Sequence, residues 1–198
     1  MKRRAAARFV LSEHDSSPID LKGAPHVHAP TVQFNYPAQM LFEFSVTPQV
    51  ITALVADANP EPAVITLGGK TYALKQFHVH TPSEHTIDGK RFDFEWHFVH
   101  QTAAGEYAVL GVFMNRVEEI TTAYIPLLQA LAAGKTECVL NPRALVPTEL
   151  LGWHYQGTLT TPPFDPVYWV VVHEQAAVTD GAAEEGIRAL LARAATAV

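Results

Sequence analysis

Seven segments of this chain pair period-two patterning with a high content of Val, Phe, Tyr and Trp: "TVQFNY", "LFEFSV", "AVITL", "TYALKQFHVH", "FDFEWHFVH", "EYAVLGVFM" and "VYWVVVHE". Such runs read as β-strands. Between several of them stand the turn signals "ANPEP", "LGGK", "IDGK" and "TAAGE", where glycine, proline and aspartate favour chain reversal. Two stretches have helical character. "EEITTAYIPLLQALAAG" closes on Gly134, a C-cap residue, and "DGAAEEGIRALLARAATAV" has acids early and arginines late, as the helix dipole prefers. No internal repeat or interdomain linker interrupts the pattern. The sequence therefore predicts one mainly β domain with peripheral helices.

Bulk properties narrow the function classes. The chain has 198 residues, a length suited to one domain. Its net charge of −6 and lack of a long basic run argue against nucleic acid as a partner. No apolar run reaches the ~20 residues that span a bilayer. The start, "MKRRAAARFVL", has the basic residues of an export signal. Its apolar part is broken by Arg8, and Glu13 follows with no small-residue cleavage site. No export signal is legible, so the chain as it stands reads as cytoplasmic. Cys138 is the only cysteine, which excludes an intrachain disulfide and fits the cytosol without ruling out export.

The chemistry concentrates in "QFHVHTPSEH", Gln76 to His85, with three of the chain's ten histidines in eight residues. On a strand, Gln76, His78 and His80 share one face. On the next strand Glu95, His97 and Val99 share a face, while Phe94, Trp96, Phe98 and His100 take the other. The intervening Asp88-Gly89 turn predicts antiparallel neighbours. Two histidines of one strand can then meet a third across the ladder. Three imidazoles with an open fourth position form a catalytic zinc arrangement. Gln76 and Glu95, two residues from His78 and His97, are natural acceptors for the second ring N–H of each ligand. His85 and His100 fall out of phase and are read as non-ligands. A rival remains: His-x-His with a glutamate four residues later, Glu84, also opens the metal motif of cupins, where that glutamate is itself a ligand. The second cupin block is not found.

These residues resemble the α-class carbonic anhydrases. "QFHVHTPSEHTIDGK", "FEWHFVH", "AVLGVF" and "YQGTLTTPPFDPVYW" occur in that family's order and near its spacing, from about Thr66 to Trp169, and "SSPID" at Ser16–Asp20 is a weaker echo. The resemblance implies a single domain over 16–198 with a mostly antiparallel central sheet, preceded by an extension over 1–15. It implies zinc (Zn2+) on His78, His80 and His97. It implies that Thr160 orients the attacking hydroxide while passing its own proton to Glu84, because a hydroxyl so engaged presents only lone pairs to the nucleophile. Val99, Val109, Leu159, Val167 and Trp169, with Thr161, match the positions that receive substrate. The implied reaction is reversible hydration of carbon dioxide to bicarbonate and a proton. A non-catalytic relative acting as a binding module is the alternative of a different class; its usual mark is a lost zinc histidine, and all three are present here.

The chain also departs from the family pattern. The N-terminal aromatic segment has no counterpart, and Phe164 stands where secreted members often carry cysteine. The chain as given ends at Val198, before the family's Asn-x-Arg-Pro region. In the family that region adds a core strand and backs one ligand histidine, so a chain without it is expected to differ in stability rather than in ligand identity. The stretch "SVTPQVITALVADANP" has no histidine, and Gln49 or Val50 falls where the family's proton shuttle stands. His26 and His28 are alternative substitutes, read as surface-loop residues. Without a shuttle, proton release from an acid of pKa near 7 is limited to roughly 10³–10⁴ per second. The maximal hydration rate is expected to rise with imidazole buffer, which replaces the missing base. Gln49→His or Val50→His should raise the rate in dilute buffer and flatten that response. A wild type that is fast and indifferent to buffer concentration would refute the reading.

Overall fold

A computed structural model describes residues 16–22, 31–47, 50–116, 122–148 and 150–179, together with Ala189. The strands are β1 (Asp20–Leu21), β2 (Gln33–Asn35), β3 (Met40–Val46), β4 (Ile51–Val55), β5 (Val64–Leu67), β6 (Lys70–His80), β7 (Thr86–Ile87), β8 (Phe94–Gln101), β9 (Tyr107–Arg116), β10 (Glu137–Leu140), β11 (Gly152–Thr158) and β12 (Pro166–Thr179). Ten of them form one sheet in the order β10-β3-β4-β6-β8-β9-β12-β11, with β2 and β5 continuing beside β6. Every pairing in this sheet is antiparallel except β9 with β12. β1 and β7 form a separate parallel pair. The expected antiparallel β domain is thus present, and all seven segments read from the alternation contain strands. Three strands of the sheet were not anticipated: β4 is a continuous apolar run, β10 is short, and β11 ("GWHYQGT") shows no clear alternation.

The long strand β6 organises the sheet. Its first half pairs with β5, Val64 opposite Ala73 through Leu67 opposite Lys70, and its second half with β4, Ile51 opposite Val79 through Leu54 opposite Gln76. Its other edge carries β8 throughout. On one face of these central strands lies the larger core. Phe77 sits 5.1 Å from Phe42, 5.3 Å from Phe98 and 5.7 Å from Trp96 between ring centroids. Phe94, Leu110, Val112 and Val170 extend this core. On the opposite face a smaller cluster gathers Val99, Val109, Phe113, Tyr155, Val167, Trp169 and Val171. β8 is therefore buried on both faces from Phe94 to His100.

One helix, α1 (Ile125–Ala132), follows a 3₁₀ turn at Thr122–Tyr124 and packs Leu127 and Leu131 into the larger core. It ends as anticipated at Gly134, whose φ of +66° is costly for residues other than glycine. There the N–H of Lys135 reaches the carbonyl of Ala130 at 2.9 Å. The second expected helix, 180–198, and the extension over 1–15 lie outside the described residues, apart from Ala189.

Gly152 shows how tightly β11 is pressed against β12. A Cβ there would stand 2.0 Å from the carbonyl oxygen of Val171, a contact that rigid backbone cannot relieve. Gly152→Ala is therefore expected to destabilise the fold by about 3 kcal/mol or more, in the range of severe overpacking. Gly69→Ala, where a Cβ meets nothing within 4 Å, carries only the cost of its positive φ, about 1 kcal/mol. Denaturant unfolding of the two variants checks the ordering; equal midpoints would contradict the register of β11.

Candidate metal centre and substrate cavity

The ladder between β6 and β8 sets His78 directly opposite His97 and His80 opposite Glu95. Because side chains alternate, Phe77 and Val79 turn into the larger core and the three histidines emerge together on the other face. Their ring centroids are 4.8 Å (His78–His80), 5.1 Å (His78–His97) and 4.7 Å (His80–His97) apart. One ligating atom from each lies within 4.8 Å of those of the other two.

Polar contacts orient the three rings. His78 Nδ1 lies 2.8 Å from Gln76 Oε1, an acceptor, so Nδ1 donates and the Nε2 lone pair is left available. Glu95 Oε1 lies 3.0 Å from His97 Nε2, a charge contact without hydrogen-bond geometry. It orients His97 with Nδ1 on the side of Glu84, whose Oε2 is 3.8 Å away. His80 Nε2 is buried and unpartnered, 3.4 Å from the same Glu84 oxygen. Burial, reinforced by the neighbouring imidazoles, holds the pKa of His78 well below the usual histidine range and brings that of His80 down to about 3. Neutral rings with exposed lone pairs are the ligating form. An orphaned buried nitrogen and a three-imidazole donor set suit a zinc ion.

Behind the histidines lies a buried polar chain. Glu95 Oε2 accepts the backbone N–H groups of Glu84 and His85, each at 2.9 Å, and Oε1 accepts His85 Nδ1 at 2.7 Å. With Nδ1 donating, His85 Nε2 accepts the Tyr155 hydroxyl at 2.6 Å. Tyr155 in turn takes a hydrogen bond from Ser17 Oγ at 2.9 Å, and Ser17 Oγ accepts from the N–H of Thr158 at 3.1 Å. Burial alone would raise the Glu95 pKa. The neighbouring His97 and His85 rings and these hydrogen bonds outweigh it and hold the carboxyl well below its usual range. His85, Glu95 and His97 also lie close enough to share an ion. Both ring nitrogens of His85 are already engaged, so this group reads as a hydrogen-bond network. His85 is thus a fully buried support of the site, a role that strand phase could not reveal. His100 sits on the opposite face, where its Nε2 meets the Tyr36 hydroxyl; burial lowers its pKa to about 4.

A cavity of about 310 Å³ opens beside the histidines. Of the residues anticipated from the sequence, His78, His97 and Gln76 line it, with Val99, Val109, Leu159, Thr160, Thr161 and Trp169. Val167 packs beside them in the smaller cluster, and His80, Glu84 and Glu95 stand outside the lining. Lys75, Gln101 and Tyr107 complete the wall and were not anticipated. The loop carrying Thr160 is pinned by Leu159 N–H to Asp165 O at 2.8 Å and Phe164 N–H to Thr161 O at 3.0 Å. Trp169 Nε1 donates to Thr158 O at 2.9 Å. No hydrogen bond joins Thr160 to Glu84, whose Oε2 is buried without a partner. Gln49, His26 and His28 lie outside the described residues.

Gly111, opposite His97 on β9, makes room for the carboxylate. A Cβ there would sit 3.0 Å from Glu95 Oε1 and 3.4 Å from a Val171 methyl. Gly111→Ala should displace Glu95, and Glu95→Gln should remove its charge. Each is expected to weaken zinc binding about 10- to 100-fold, the usual effect of losing a partner behind a metal ligand. Competition with a chromophoric chelator measures this; wild-type affinity in both variants would deny Glu95 its supporting role.

Comparison with known proteins agrees with this geometry. The family model described as eukaryotic-type carbonic anhydrase matches residues 8–196. Human carbonic anhydrase 7 is 31% identical over 196 residues, covering 83% of this chain and 73% of that protein. A carbonic anhydrase of Klebsiella pneumoniae is 38% identical over 104 residues, 50% of this chain, and the match spans 42% of that relative's length. Among solved structures, the α-carbonic anhydrase of Thermovibrio ammonificans, in complex with the inhibitor sulfanilamide, superposes with a TM-score of 0.77 at 28% identity, over 89% of this chain and 79% of that one. The Photobacterium profundum α-carbonic anhydrase gives 0.73 at 28% identity, over 89% and 81%. A fold with this strand order, a face carrying three convergent histidines and a family match across nearly its whole length together establish that the chain belongs to the eukaryotic-type, or α-class, carbonic anhydrase family.

Proposed function

We propose that this chain is a zinc-dependent lyase that interconverts carbon dioxide and water with bicarbonate and a proton. The observation that carries the reading is the convergence of His78, His80 and His97 beside a cavity whose wall includes Val99, Val109, Leu159 and Trp169. Carbon dioxide has no dipole, and an apolar wall next to the reacting centre holds it without competing for hydrogen bonds. Zinc bound there supplies a hydroxide nucleophile at neutral pH.

The chain's own residues do the rest. His78 and His97 are held by Gln76 and Glu95, so the donor atoms need little reorganisation. Glu84 directs a buried carboxylate oxygen toward His80 and His97. Once its hydroxyl proton points to that carboxylate, Thr160 offers only lone pairs to the nucleophile and fixes its direction. Thr161, beside it on the cavity wall, borders the space where bicarbonate forms. Among the described residues no histidine besides His78 and His97 lines the cavity, so the proton released in hydration is expected to leave through buffer.

Metal analysis together with a carbon dioxide hydration assay tests the proposal. The purified protein should hold about one zinc per chain, and His97→Ala should fold yet retain little. Thr160→Ala should keep zinc and lose about a hundredfold in hydration, the scale of a misdirected reacting group. Val109→Tyr should keep zinc and block the reaction by filling the cavity. Iron as the native metal, with Glu84 among its ligands, would favour a cupin-like enzyme. Normal zinc without hydration in the wild type would favour a binding module.

A further inference from the structure

The ladder between β6 and β8 is irregular at one point. Leu74 pairs with His100 and Gln76 with Val99, which leaves Lys75 as an extra residue with no partner. A bulge of this kind breaks the alternation and re-aims a side chain. Here it places Lys75 on the same wall as Gln76 and His78, and among the described residues Lys75 is the one lysine or arginine lining the cavity. It lies three positions before His78, a path of ~10 Å along the strand. The side chain is exposed, and no carboxylate lies within salt-bridge distance of it among the described residues. Lys22 and Lys70, by contrast, are paired with Asp20 and Glu106. Lys75 also borders the neighbouring cleft, whose wall carries Asp57 and Glu61.

The reaction proposed above converts a neutral molecule into an anion. That anion forms beside the Glu84 and Glu95 carboxylates in a chain of net charge −6. With zinc bound, the two carboxylates offset the charge of the ion, so the approach to the site gives bicarbonate little net attraction, while carbon dioxide is indifferent to charge. A cation on the cavity wall supplies attraction where the product departs and where it enters in the reverse direction. We propose that Lys75, placed on the cavity wall by the β6 bulge, attracts bicarbonate and raises the anion affinity of the site. The assignment rests on the carbon dioxide reading. Asp57 and Glu61 make the adjacent cleft unfavourable for the same anion, so Lys75 draws it toward the histidines.

Zinc-loaded full-length protein titrated with sodium bicarbonate at constant ionic strength, near pH 8.5, tests this through the shifts of amide resonances in the cavity wall. At low salt, Lys75→Gln is expected to weaken bicarbonate binding about two- to fivefold, and Lys75→Glu about four- to twentyfold. Lys75→Arg should restore wild-type affinity. These differences should shrink toward unity as salt rises to about 0.3 M, because the side chain is exposed and its field is screened. A merely structural lysine would not give charge-ordered, salt-screened affinities, and unfolding midpoints should match across the series. Unchanged bicarbonate affinity in Lys75→Gln and Lys75→Glu would overturn the proposal, as would a difference insensitive to salt. A wild type that hydrates no carbon dioxide would sink the catalytic reading instead, and the titration would still report whether Lys75 governs anion binding.

Discussion

In the ladder between β6 and β8, His78 faces His97 and His80 faces Glu95. A slip of one residue would turn these groups into the aromatic core and bring Phe77 and Val79 out onto the cavity side. The register is held by what lies beneath it. Phe77, Trp96 and Phe98 form a stacked and tilted set that fits only when alternate residues of both strands point the same way. Burying one such aromatic side chain is worth about 1.5–3 kcal/mol, and a slip would forfeit several at once. The apolar core on one face thereby positions the three histidines on the other.

The polar side of that bargain is Glu95, a fully buried carboxylate. An unpaired charge there would be prohibitive. Two backbone N–H groups, His85 and His97 surround it instead, and Gly111 leaves it the space it occupies. Tyr155 and Ser17 then tie this cluster to β11 and to the segment before β1. The orientation of His97 therefore depends on residues from β7's approach, β8, β9 and β11. Disturbing any of them should reach the site through Glu95.

The cavity joins two unlike environments. Its apolar side, from Val99 and Val109 to Trp169, belongs to the smaller core cluster. Its polar side carries Lys75, Gln101 and Tyr107, with Gln101 and Tyr107 paired across β8 and β9. One space thus offers an apolar wall and a polar wall.

Local periodicity carried much of this. The spacing of His78, His80 and His97, with Gln76 and Glu95 in phase, was legible because a strand repeats every two residues and an Asp-Gly turn implies an antiparallel neighbour. The aromatic face of β8 was legible for the same reason. Strands β4, β10 and β11 were not, because a short or uniformly apolar run has no distinctive period. Nor were the supports of the site. His85 meets Tyr155 across 70 residues of sequence and Tyr155 meets Ser17 across 138, and no local pattern encodes contacts between segments so far apart. Gly111 and Lys75 were silent for a related reason: one matters through the volume it leaves empty, the other through a bulge that appears only once two strands are paired. The sequence by itself determined which side chains could ligate a metal and which face they share. The tertiary structure decided what holds them, what surrounds them and which wall carries Lys75, since packing and register exist only between segments.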